Sequence, residues 1–291
     1  MIAKNKIVFL ILLFVSFLGF AQQNKLALAY EQYTTGKLDS ALVSIQEVVV
    51  HPETSSDIQA WLIKSYVLKD LFKANENTSK AENYRAESVQ SFLKARELDK
   101  DKKEWSQINQ NLKYLGSKYF NEARANIDTL NHLKAVQLFD EYERVYLFAD
   151  TAFSSKTKEL EFYLALASVF QQCFDNNSSK NCLDYAKVYL QKAMDIDPSS
   201  TSAIKNMGIL YYNQGVNLIK RMEYDISLEE LSNFQDQSIK LFHQAEPFLL
   251  KAFDISPTDK TVLEGLQGIY FQLSDFDKSN DFKSKLEALN K

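Results

Sequence analysis

The side chains from which chemistry could be built are few. Cys173 and Cys182 flank the polar run Asp175-Asn176-Asn177-Ser178-Ser179-Lys180. Such a pair suits a disulfide clamping an inter-helix loop in an oxidising compartment; the alternative is two unrelated small apolar residues. Neither has a base placed to make it a nucleophile. His51, His132 and His243 have no cysteine or carboxylate at ligand spacing, so no metal site is expected. The chain has no glycine-rich phosphate loop, paired-histidine zinc motif or strand-to-helix serine elbow. Its carboxylates are scattered as solvated faces, without a pair that helical geometry would bring into a pocket. The expectation is a non-enzyme with no cofactor.

The elements that would position a binding site are more informative. Lys4 and Lys6 precede an uncharged apolar run from Ile7 to Phe20, and Gly19-Phe20-Ala21 supplies small residues where a signal peptidase reads. Residues 1–21 therefore read as an export signal cleaved after Ala21. The run is about 14 residues, short of the roughly 20 needed to span a bilayer, so retention as an anchor is the weaker alternative. No cysteine stands there to carry a lipid. Cleavage removes two lysines and no acid, moving the formal net charge from −4 to −6. A mildly acidic chain without a basic face gains no counterion release, which argues against nucleic acid as a partner. Seven glycines and four prolines leave few turns, so long helices are expected rather than many strands.

Self-similarity organises the rest. Ile204, Met207, Gly208, Tyr211 and Gly215 fall at relative positions 4, 7, 8, 11 and 15 of a unit. Ala186, Leu190, Ala193 and Pro198 fall at 20, 24, 27 and 32, and Ala245, Leu249, Ala252 and Pro257 repeat them. The pattern resembles the tetratricopeptide repeat, a helix-turn-helix unit of about 34 residues. Small residues at 8, 20 and 27 let two helices approach, large apolar residues at 4, 7, 11 and 24 fill the gap, and proline at 32 closes the second helix. The frame recurs at Gly116 and Ala167, and more weakly at Ala29, Ser65 and Gln267. Gly36, Gly116, Gly208 and Gly215 all land on the two glycine slots. The resemblance implies an all-α, right-handed superhelical solenoid of about six repeats, near 22–57, 58–108, 109–159, 160–200, 201–259 and 260–291.

Position 8 recurs at spacings of 36, 51, 51, 41 and 59, the excess being helical in character. The largest insert, from Lys220 to Gln244, carries Leu228, Leu231, Phe234, Ile239 and Phe242 at near-helical spacing and reads as a protruding hairpin. Pro247 lacks a backbone donor, so a kink or a fresh helix start is expected there. Ser279 to Lys291 reads as a capping helix, with Phe282, Leu286 and Leu289 on one side.

In proteins of this type the groove is lined by the first helix of each repeat, at positions 2, 5, 9 and 12. By that resemblance the partner-binding residues are Tyr30, Tyr33, Tyr66, Lys69, Lys113, Phe120, Gln171, Lys205, Tyr212 and Phe271. Such a lining, aromatic and modestly basic, suits an extended peptide; the bland alternative is that these rings pack against neighbouring helices. Lys205 and Asn206 echo a carboxylate clamp, but Ile209 interrupts it. The tripeptides Asp39-Ser40-Ala41, Asp128-Thr129-Leu130 and Asp150-Thr151-Ala152 resemble a bacterial O-glycosylation signature, too short to weigh. The expectation is an exported, periplasmic scaffold or adaptor of a Gram-negative bacterium, binding protein or peptide, with no stable membrane insertion after cleavage. The alternative is a component holding a glycan or small ligand in the concave groove. Self-association through apolar terminal flanks stays open.

Overall fold

A computed structural model describes residues 24–220 and 226–289. The export segment expected at 1–21 lies outside them. Among the described residues the fold is all-α, with twelve helices: α1 (24–34), α2 (Leu38–Val50), α3 (Ile58–Ala74), α4 (Ala81–Leu98), α5 (Trp105–Ala125), α6 (His132–Ala149), α7 (Lys156–Asn177), α8 (Lys180–Ile196), α9 (Thr201–Lys220), α10 (Leu228–Ile255), α11 (Lys260–Gln272) and α12 (Phe276–Ala288). Odd-numbered helices are the first of each tetratricopeptide-like pair and even-numbered helices the second. Helices α5 and α7 begin four residues, about one helical turn, ahead of the repeat boundaries read from the sequence.

Local chemistry sets the helix ends. Asp57 caps α3 by accepting from the Gln59 N–H, and Asp259 caps α11 by accepting from the Thr261 and Val262 N–H groups. Ser227 and Glu230 form a reciprocal capping box at α10. Gly36, at φ 77°, occupies the left-handed region in the α1–α2 turn, where a side chain would be strained.

The chain divides into two compact units. Among the described residues the first comprises 24–121 and Leu138–Phe153, the second Glu122–Gln137, 154–220 and 226–289, so that α5 and α6 each contribute to both. In the first, Ala29, Ala41, Ile45, Val48, Ala60 and Val67 form one core cluster, each fully buried. In the second, Ala245, Leu249, Ala252, Leu263, Leu266 and Ile269 form another, with Phe282 of α12 packed into it.

The small-residue slots do the packing the pattern demands. An ideal Cβ on Gly208 of α9 would stand 2.8 Å from Cγ and Cδ2 of Leu249 on α10, and one on Gly116 of α5 would stand 2.6 Å from the Tyr146 ring on α6. Where the second helix carries serine instead of alanine, its hydroxyl meets the first helix's backbone. Ser88 Oγ donates to the Ser65 carbonyl at 2.9 Å, and Ser279 Oγ to the Gln267 carbonyl at 3.0 Å. Both serines are buried, so each hydroxyl finds the partner its burial requires.

Of the kink or fresh helix start expected at Pro247, the fresh start does not occur: α10 runs through it from Leu228 to Ile255. The ring is exposed while Ala245 and Leu249 beside it are buried, so the proline sits on the outward face of α10, where a missing backbone bond is least costly. The Lys220–Gln244 insert is not a separate hairpin either. Its described part is the first half of α10, continuous with the helix that packs on α9; residues 221–225 lie outside the description. Gly215 consequently sits inside α9 rather than at a turn, and its missing side chain admits the Phe242 ring, 2.8 Å from where a Cβ would be.

Candidate functional site

Each nominated groove residue lies on the first helix of a pair, but most are engaged with a neighbouring helix. On α1, the Tyr33 hydroxyl donates to Asp70 of α3 at 2.9 Å. Burial first, and then that carboxylate, push its pKa well above the ordinary phenol range. On α3, Lys69 Nζ donates to Asn111 Oδ1 of α5 at 2.8 Å and lies 4.7 Å from the Tyr66 ring centre, and burial lowers its pKa. Tyr66 stands edge-on to Phe92 with centroids 5.3 Å apart.

On α5, Lys113 pairs with Asp150 at 2.9 Å, and Phe120 packs on Tyr142 at 4.9 Å between centroids. Gln171 of α7 donates to the Asn206 carbonyl of α9 at 3.2 Å. Lys205 of α9 pairs at 2.7 Å with Asp259, the residue that caps α11. The Tyr212 hydroxyl fills the space over Gly268 of α11, and burial raises its pKa. Position 12 thus contributes Tyr33, Lys69, Gln171 and Tyr212 to joints between successive first helices. Asp70 partners Tyr33, Asn111 partners Lys69, and at position 5 Asp259 partners Lys205; nothing in the repeat pattern singles those partners out.

Two nominated residues are free of this work. Tyr30 is 56% exposed and Phe271 59% exposed, one in each unit, and Phe271 touches only the edge of Phe276 among aromatic neighbours in the described residues.

The shifted ionisable groups trace to structure. Hydrogen bonds hold the carboxyls of Asp128, Asp150, Asp197, Glu230 and Asp275 low, from turn or cap groups and, for Asp150 and Asp275, from a lysine as well. For Asp259 burial pulls upward, but the Lys205 and backbone hydrogen bonds outweigh it and the pKa ends low. His132, at the start of α6, is closed in by Phe170, Tyr185 and Tyr189, with its ring centroid 4.9, 4.4 and 5.9 Å from theirs. Its Nδ1 and the Tyr189 hydroxyl share a 2.6 Å hydrogen bond. Burial lowers the imidazole pKa, partly opposed by Asp128, and burial pushes the Tyr189 phenol up to about 12. Among the described residues no group of three or more His, Cys, Asp or Glu is placed to hold a metal.

Cys173 near the end of α7 and Cys182 in the first turn of α8 are joined as a disulfide, with Cα atoms 5.8 Å apart. Next to it, Phe174, Leu183 and Leu218 line a cleft of about 290 Å³ rimmed by Lys180, Asp184, Lys187 and Gln214.

Neither a family model nor a curated protein matches the chain. Solved structures do. The chain is similar to the crystal structure of MamA protein, at 12% identity and a TM-score of 0.29, over 92% of this chain and 91% of that one. PilW, described as a widely conserved type IV pilus biogenesis factor, aligns at 15% identity and a TM-score of 0.30, over 92% and 93%. A monomeric IFIT1 mutant with Gppp-AAAA aligns at 16% identity and a TM-score of 0.37, over 86% of this chain and 46% of IFIT1. The chain thus spans about half the length of that structure. At these scores the likeness decides nothing about function.

Proposed function

We propose that this protein is a non-catalytic, exported helical-repeat scaffold that holds a partner protein or peptide through the exposed faces of its first helices. The observation that carries this is the division of labour along those helices. The polar position-12 side chains are spent on joints that stiffen the stack, while Tyr30 and Phe271 keep large rings in water, at a desolvation cost that a partner would relieve. Export, to the periplasm of a Gram-negative bacterium, is supported by the signal-like segment 1–21 and by the Cys173–Cys182 disulfide, a bond that persists in oxidising compartments. No helix of the described residues is long and apolar enough to cross a membrane. The acidic balance of the chain favours protein over nucleic acid.

The test is affinity capture of the tagged protein from its own cell envelope after mild crosslinking, comparing the native chain with Tyr30→Ala and Phe271→Ala. Both side chains are exposed, so the substitutions leave the fold within about 0.5 kcal/mol of native. Recovery of the same partner by the native chain and its loss from either variant supports the reading; equal recovery by all three refutes it. Lys205→Glu is unsuitable, because it would set a second acid against Asp259.

The cleft beside the disulfide favours a second reading, a glycan or small-ligand component. Its apolar floor and the Lys187–Gln214 pair at its rim suit a ligand with a ring and hydroxyl groups. Gln214→Ala abolishing oligosaccharide binding would support it; unchanged binding would remove it.

A further inference from the structure

A second cleft lies in the first unit. The last turns of α4, the start of α5 and the end of α6 enclose an open cleft of about 450 Å³, walled by Leu93, Trp105 and Phe148. Phe148 is 44% exposed.

Its charge is out of character for an acidic chain. The Arg96 guanidinium lies 4.3 Å from the Trp105 ring centre and donates to the Phe148 carbonyl at the end of α6. Lys102 Nζ lies 4.7 Å from the same ring. Neither cation has a carboxylate within ion-pair distance among the described residues, whereas Lys94 at the rim is neutralised by Glu97 at 3.0 Å. Two further features mark the place as unfinished. Arg96 Nε and Trp105 Nε1 are buried donors without a hydrogen-bond partner among the described residues, a state that ordinarily costs about 1–3 kcal/mol each. Lys102 is held at φ 60°, a left-handed conformation that a non-glycine residue adopts at a cost and that sets its side chain over the indole.

We propose that this cleft docks a peptide segment carrying a carboxylate beside a large apolar side chain. The apolar side chain fills the space between Leu93, Trp105 and Phe148, and the carboxylate takes the charge of Arg96 and Lys102. Acid and cations meet over an aromatic plane, partly out of water, where a charge-assisted contact is strongest. A peptide fits better than a free acid because the cleft is open and runs along α4, where Gln90, Leu93 and Glu97 recur at helical spacing, so that contact continues past one side chain. The site is independent of the first-helix reading.

The experiment is calorimetric titration of the whole chain with a small panel of N-acetylated, C-amidated hexapeptides in which Glu or Asp flanks Phe, Leu or Trp. The same peptides with Gln or Asn for the acids, and 3-phenylpropionate alone, serve as comparisons. The expected result is that at least one acidic peptide binds the native chain. Its neutral counterpart, and the Arg96→Gln and Lys102→Gln variants, bind about tenfold or more weakly, or about 1.4 kcal/mol. Lys102→Gln removes an exposed charge and keeps the helical signal, so a loss there is not a loss of fold. Tyr30→Ala leaves this binding unchanged, which separates its failure from that of the scaffold reading. Absence of binding by every acidic peptide, equal binding of the neutral peptides, undiminished binding by both variants, or 3-phenylpropionate binding as tightly as any peptide would each overturn the proposal.

Discussion

Leu249 is the point at which three helices meet, and replacing its glycine neighbour tests that geometry. A Cβ at Gly208 would stand 2.8 Å from Leu249 Cγ and Cδ2 and 3.1 Å from Phe248 Cβ, while a Cβ at Gly265 of α11 would stand 2.7 Å from Leu249 Cδ1. Leu249 is therefore held from both sides and cannot withdraw from one glycine without pressing on the other. In a helix interior, Gly→Ala by itself gains about 1 kcal/mol. Overpacking a filled core costs about 1–3 kcal/mol, and the absence of a retreat for Leu249 places Gly208→Ala toward the upper end, a net loss of about 1–2 kcal/mol after the helix gain. Leu249→Ala alone should cost about 2–5 kcal/mol, because Leu249 is fully buried. In the double variant the added methyl enters space the leucine has vacated. The two costs should then fall short of additivity by about 1–3 kcal/mol, where independent sites add within about 0.5 kcal/mol. Urea unfolding followed by helical circular dichroism on the four proteins gives the cycle. Additivity within 0.5 kcal/mol, or a Gly208→Ala variant more stable than the parent, would refute the reasoning that position 8 is small because the facing helix needs the room.

The other predictions concern single interactions. His132 titrates lower in the folded protein than its ordinary value of about 6.5 because it is buried. The unfolded chain therefore binds the proton first, and the stability of a neutral His132 is lost as pH falls from about 6.5 toward the folded pKa. His132→Phe should flatten that part of a stability-versus-pH curve, and an unchanged slope would show that His132 is not its source. Replacing Cys173 and Cys182 with serine should cost about 2–3 kcal/mol for so short a loop and abolish any effect of reductant on thermal unfolding. Lys205→Ala should cost about 0.5–1 kcal/mol and raise the Asp259 pKa. That carboxyl is depressed in the fold, so its contribution is present above the unfolded carboxylate range and fades as pH falls through the folded value; acid unfolding of Lys205→Ala should accordingly lose this component.

The close approach of paired helices was readable because it needs only a residue's size. Gly116, Gly208, Ala186 and Ala245 declare it at fixed spacing, and all are buried. Ser88 and Ser279 meet the same need differently, and an alanine-based pattern undervalues a hydroxyl whose use is to bond the facing carbonyl. The contacts of position 12 are not legible in the sequence for a physical reason. A tyrosine or lysine there suits a partner's peptide and a neighbouring helix equally, and the Asp70 and Asn111 that engage Tyr33 and Lys69 belong to the next repeat. At Pro247 the local rule left two outcomes, and the helix continues because the proline lies on the exposed face of α10. The Arg96, Lys102 and Trp105 cluster was invisible in the sequence because it joins the end of one helix, a connecting loop and the start of the next, against a carbonyl more than fifty residues away.

Site-specific photocrosslinking in the cell envelope tests the scaffold reading most directly. A photoreactive phenylalanine analogue is placed at Tyr30 or Phe271 on first helices, and at Val43 or Ile255, which are exposed on second helices. The account predicts that positions 30 and 271 yield a discrete crosslinked protein that positions 43 and 255 do not. Crosslinks of equal yield from all four positions, or from 43 and 255 alone, would contradict it.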